Sequence, residues 1–134
     1  MSGLLGGDRV NAGELARAMH AAKSEIDAAL EQWRAAIAED AVADDEMRRA
    51  KARSYLTTRE QLGGKATVSA IEAAVDLETA DAQKRARLAE GLKRSAQGAF
   101  DGKKQWLSAL MTLASVTKAE AQLARWEPSE VASA

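Results

Sequence analysis

Few residues of this 134-residue chain are of the kinds that carry enzyme chemistry. The only histidine, His20, lies on a segment of helical period, and cysteine is absent, so thiol nucleophiles and thiolate metal sites have nothing to form from. His20 reads as a surface or seam residue, not as a base or a ligand. Asp44, Asp45 and Glu46 could attract Mg²⁺, but without a phosphate-binding loop they read as the solvated start of a helix. The stretch GGKAT at 63–67 has the glycine and lysine of a phosphate loop and lacks the rest. Arg59 stands where the first glycine belongs, Ala66 replaces the Ser or Thr, and no strand precedes it. The expectation is a non-enzyme with no cofactor and no metal.

The basic residues can do more. Arg48, Arg49, Lys51, Arg53 and Lys65, then Lys84, Arg85, Arg87, Lys93, Arg94, Lys103 and Lys104, are of the type that neutralises phosphates. Tyr55 and Trp106 could stack on bases in the sequence-tolerant way that single strands permit. The bland alternative is a set of solvated helical faces. Net charge is only −1, but it is segregated. Counted by block, residues 1–46 carry −6, 47–65 carry +5, 66–82 carry −4, 83–125 carry +6 and the remainder −2. Near-neutrality hides a polarised molecule, whose basic blocks face either a polyanion or the chain's own acidic segment.

The elements that must position these residues are helices. Hydrophobic residues make up 46% of the chain, with alanine prominent, one proline and few aromatics. Alanine makes good helix and contributes little core, so long helices packed closely through small residues are expected, with self-association supplying missing burial. Residues 1–10 read as a flexible start, with Asn11 as N-cap of a helix over about 11–43. On it Leu15, Met19, Ala22, Ile26, Leu30, Trp33 and Ile37 form a narrow stripe like a coiled-coil seam. A kink or a restart near Asp44 leads into a second helix over about 45–62, stopped by Gly63 and Gly64. Thr67 caps a short helix over about 68–76.

A long helix over about 79–125 follows, some 45 residues and roughly 65–70 Å. Its buried side is marked by Ala82, Ala89, Leu92, Ala96, Phe100, Leu107, Leu110, Ala114 and Val116, widened by Trp106 and Leu113. Gly91, Gly98 and Gly102 suggest a close neighbouring backbone or a bend. Pro128 ends the helix, and 126–134 reads as a flexible tail. The fold expected is all-α: an elongated helical hairpin, coiled-coil-like, forming one helical domain over 11–125. It assembles into a homo-oligomer through Trp106, Leu107, Leu110, Leu113 and Val116. No apolar run approaches the ~20 residues needed to span a bilayer, and no targeting signal is visible, so no membrane association and a cytoplasmic location are expected.

Four stretches, AKARSYL, GGKATVSAIEAAV, DLETADAQKRARLAEGL and FDGKKQWLSALMTLAS, carry a resemblance. Over roughly residues 47–115 the chain resembles phage recombination mediator proteins of the UvsY type. The acidic segment before it lies outside the likeness. The resemblance implies a homo-oligomer that binds single-stranded DNA and helps load a recombinase onto strands covered by a single-strand-binding protein, in the host cytoplasm if phage-encoded. The competing expectation is a coiled-coil assembly protein with no nucleic-acid role, its basic blocks paired with its acidic helix across a subunit interface.

Overall fold

The computed structural model describes residues 11–133, with side chains described for 11–125. Three α-helices occupy them: α1 (Ala12–Leu62), α2 (Val68–Glu78) and α3 (Ala80–Ser133), with a 3₁₀ turn at Gly63–Lys65 between the first two. The architecture is an all-α helical hairpin in which α1 packs against α3. Residues 1–10, read above as a flexible start, lie outside the described residues.

Local chemistry explains the boundaries. Asn11 caps α1, its Oδ1 accepting from the Gly13 N–H at 2.7 Å and its carbonyl from Leu15 at 3.0 Å. Gly63 has φ +69°, the left-handed conformation that ends helices and that glycine adopts without Cβ strain. Thr67 Oγ1 accepts from the Ala70 N–H at 3.2 Å and starts α2. Between α2 and α3 only Thr79 leaves the helix, with φ −98° and ψ 14°, its hydroxyl donating to the Val75 carbonyl at 2.7 Å.

Two expected boundaries are corrected. α1 does not restart at Asp44: it is continuous over Ala12–Leu62. The carboxylates that resembled a helix start are intrahelical partners, Asp44 to Arg48 at 2.9 Å and Asp45 to Arg49 at 3.0 Å, four residues apart. α3 does not stop ahead of Pro128 but runs to Ser133. The restriction on the residue before proline is a bias, and only one turn and a half follows the ring here.

The chain forms two compact units. The turn unit is Leu30–Gly98, and the terminal unit combines Met1–Ala29 with Ala99–Ala134. Within the turn unit, α1 runs antiparallel to α2 and the first part of α3. The facing positions recur in steps of three and four, as in a coiled coil. On α1 Trp33, Ala36, Asp40, Ala43, Met47, Ala50, Ser54 and Thr58 are buried or half-buried, and so are Ile71 and Val75 on α2, Thr79 after it, and Ala82, Ala86, Ala89, Lys93 and Ala96 on α3. Many of these are alanines one heptad apart: 36, 43 and 50 on one helix, 82, 89 and 96 on the other. In the terminal unit Leu15, Ala22 and Leu110 form a small core, flanked by Ala18, Met19, Leu107, Leu113 and Ala114.

The expected stripe on α1 is therefore partly displaced. Ala29 is buried and Ala36 half-buried where Leu30 and Ile37 were expected to lead, and Ile37 is 43% exposed. On α3, Leu92 and Val116 are exposed, not buried. A Cβ built on Gly91, Gly98 or Gly102 would meet nothing within 4 Å, so these glycines admit no neighbouring backbone within the protomer. No helix among the described residues is long and apolar enough to cross a membrane.

Candidate nucleic-acid interface

The twelve basic residues singled out from the sequence divide by environment. Five are committed to ion pairs. Arg48 and Arg49 pair with Asp44 and Asp45, and Arg94 with Glu90 at 2.7 Å, all along one helix and exposed. Lys93 reaches across the turn unit from α3 to Asp40 on α1 at 2.8 Å, both side chains mostly covered. Lys103, in the terminal unit, reaches Glu25 on α1 at 3.1 Å. Lys104 lies over the Phe100 ring, 5.2 Å from its centroid.

The remaining six, Lys51, Arg53, Lys65, Lys84, Arg85 and Arg87, belong to the turn unit and make no ion pair among the described residues. All but the half-buried Lys51 are exposed. Two converge: Arg53 from α1 and Arg85 from α3 line one shallow pocket of about 290 Å³. Ser54, Thr57 and Thr79 line it too, together with the carboxylates of Glu78 and Asp81. The hydroxyl of Ser54 donates to Glu78 Oε2 at 2.8 Å, which turns that carboxylate toward α1. Gln83 Nε2 donates to Thr79 Oγ1 at 3.1 Å and so fixes the hydroxyl at the base of α3. Two guanidiniums with neighbouring hydroxyls suit a phosphodiester oxygen, whereas the carboxylates disfavour deep entry of an anion. The arrangement fits a backbone passing over the rim.

A second groove, about 500 Å³, runs between α1 and α2 and is lined by Lys51, Tyr55, Glu72, Val75 and Asp76. Tyr55 is half-buried there, presenting part of its ring beside the unpaired Lys51. Trp106, the other candidate for stacking, belongs to the terminal unit. Lys103 and Lys104 belong there as well and so are not grouped with the six unpaired cations.

Sequence reasoning did not single out Ser54, Thr57 or Thr79. Their signal is faint but present: Thr57 follows Ala36, Ala43 and Ala50 at seven-residue spacing, and Ser54 and Thr58 are small polar residues buried on the same seam, which marks a place where a seam carries hydrogen bonds. His20 is exposed, and among the described residues no three His, Cys, Asp or Glu side chains converge as a group able to hold a metal ion. Of the residues expected to mediate oligomerisation, Leu110 is buried in the terminal unit's own core with Leu107 packed beside it. Leu113 packs against the same core, so three of the five lie on or beside the side of α3 that meets α1, whereas Trp106 and Val116 are exposed. Comparison with protein-family models, with curated proteins and with solved structures finds no match.

Proposed function

We propose that this protein binds single-stranded DNA as a homo-oligomer and acts as a phage-type recombination mediator, helping to load a recombinase onto strands covered by a single-strand-binding protein. The observation that carries the DNA-binding part is the set of six unpaired basic residues in the turn unit, two of them, Arg53 and Arg85, on one pocket rim. Unpaired cations keep their full value for phosphates, because no internal salt bridge must break first. The mediator role, with its recombinase and single-strand-binding partners, rests on the residues of 47–115 that resemble the UvsY type. The reading assigns no catalytic step to any residue and calls for no cofactor.

Affinity for a single-stranded oligonucleotide, measured by anisotropy across a salt series, tests it. Binding falls as salt rises, with a slope of about −0.7 per phosphate neutralised, so six engaged cations give about −4. Absence of binding at low salt by the intact protein overturns the reading.

A second reading, a non-catalytic coiled-coil assembly protein without nucleic acid, is favoured by one observation. Lys93–Asp40 and Lys103–Glu25 join basic α3 to acidic α1. These pairs form within the protomer, so they account for two basic residues and leave the six others with no ion pair among the described residues.

A further inference from the structure

The terminal unit buries little. Among its described residues the large apolar side chains that are buried are Leu15 and Leu110. Yet α3 carries a second heptad stripe there, one residue ahead of the inward-facing one and hence turned by about 100° around the helix. Ala99, Gly102, Trp106, Ala109, Leu113, Val116, Glu120 and Leu123 recur at alternating steps of three and four. All are exposed except Leu113, which is half-buried and shared with the inner core, and Trp106 is 42% exposed. A helix with two such stripes packs on two partners, and within the unit α1 occupies one.

We infer that the outer stripe is a self-docking seam, which packs antiparallel about a two-fold axis against the same stripe of a second copy. The residue pattern selects both occupant and direction. In an antiparallel coiled coil the two kinds of seam position face each other, so Trp106 meets Val116 of the second copy, Ala109 meets Leu113, and Ala99 meets Leu123. Each contact is repeated by the two-fold, as a closed dimer requires. Small residues fall opposite large ones in two of these layers, which fills space evenly.

Parallel pairing would set Trp106 and Leu123 each against itself and Ala99, Gly102 and Ala109 each against itself, alternating crowded with empty layers. Charge points the same way. Glu120, the one ionisable residue on the stripe, falls opposite Gly102 of the second copy, whereas parallel pairing would place it against its own counterpart. The open space over Gly102 leaves room for that approach.

This deepens the homo-oligomer part of the proposed function and is tested without nucleic acid, so its failure is distinct from a failure to bind DNA. Light scattering of the intact chain is expected to give a mass of two copies or a multiple of two. Trp106→Glu and Val116→Glu should each halve it while helical circular dichroism is retained. Direction is read by crosslinking, which the cysteine-free chain permits. Ala99→Cys and Leu123→Cys proteins, refolded together and oxidised, should form a mixed disulfide dimer, and neither should form a dimer alone, because like positions lie about 36 Å apart along an antiparallel pair. A native mass of one copy overturns the inference, as does self-crosslinking of either single variant, or retention of the native mass by both glutamate variants. If the glutamate variants lose their helix, the cysteine pair alone decides.

Discussion

Replacing Lys93 with methionine separates a structural cation from a phosphate-binding one. Methionine keeps an apolar stem of similar length and removes the charge. In the native protein Lys93 Nζ sits 2.8 Å from Asp40, whose side chain is only 21% exposed and makes no other ion pair among the described residues. Removing the lysine leaves that carboxylate largely out of water with no counter-charge. Such a loss costs about 3–5 kcal/mol for a fully buried pair and about 1–3 kcal/mol for a polar group stranded in partial burial. Because a fifth of Asp40 still reaches solvent, ~1.5 kcal/mol is expected. With an unfolding entropy of about 2.1 cal/mol/K per residue over 134 residues, that is a fall in Tm of about 5 °C.

Adding Asp40→Ala should restore most of it, since the stranded charge is then gone. The salt slope for a single-stranded oligonucleotide should not change in Lys93→Met. Arg85→Gln should behave oppositely, reducing the slope by about 0.7 with Tm nearly unchanged. The reasoning fails if Lys93→Met lowers the slope and leaves Tm where it was.

Two further outcomes follow from backbone and packing. Glycine to alanine should have opposite signs at two sites: Gly91→Ala, in open space inside α3, should stabilise by up to about 1 kcal/mol, whereas Gly63→Ala, at φ +69°, should destabilise by about 1 kcal/mol. Urea denaturation of both distinguishes helix propensity from turn geometry. Ala29→Leu, at a buried seam position, should cost about 1–3 kcal/mol by overpacking, although leucine is the more hydrophobic residue. A gain in Tm would mean that the helices there are loosely packed.

The parts of this fold that a reader of the sequence can place are those decided within a few residues. Asn11, Gly63 and Thr67 each act through a backbone conformation or a hydrogen bond no more than four positions away, and all three stand where composition puts them. The seam is harder to place, because side-chain size is a poor mark of burial where helices approach closely. Where two helices approach closely, alanine fits and isoleucine does not, so Ala36 takes the inner position and Ile37 turns outward.

The basic residues show the same limit in electrostatic form. A charge block reveals an excess of one sign, but not which member meets a partner fifty residues away, as Lys93 does with Asp40. The meeting of Arg53 and Arg85 on one pocket likewise depends on the antiparallel pairing of α1 with α3, which no local pattern encodes.

The alanines of the turn unit repeat every seven residues on both helices, and that regularity creates an ambiguity. Sliding one helix past the other by a heptad would again set alanine against alanine, with hardly any loss of apolar contact. What makes the native alignment unique is its exceptions. A heptad slip would carry Asp40 away from Lys93 and leave both charges facing uncharged side chains. The ion pair, together with the Ser54–Glu78 hydrogen bond, is thus a vernier mark on a nearly uniform scale: it favours one alignment among several of similar alanine packing.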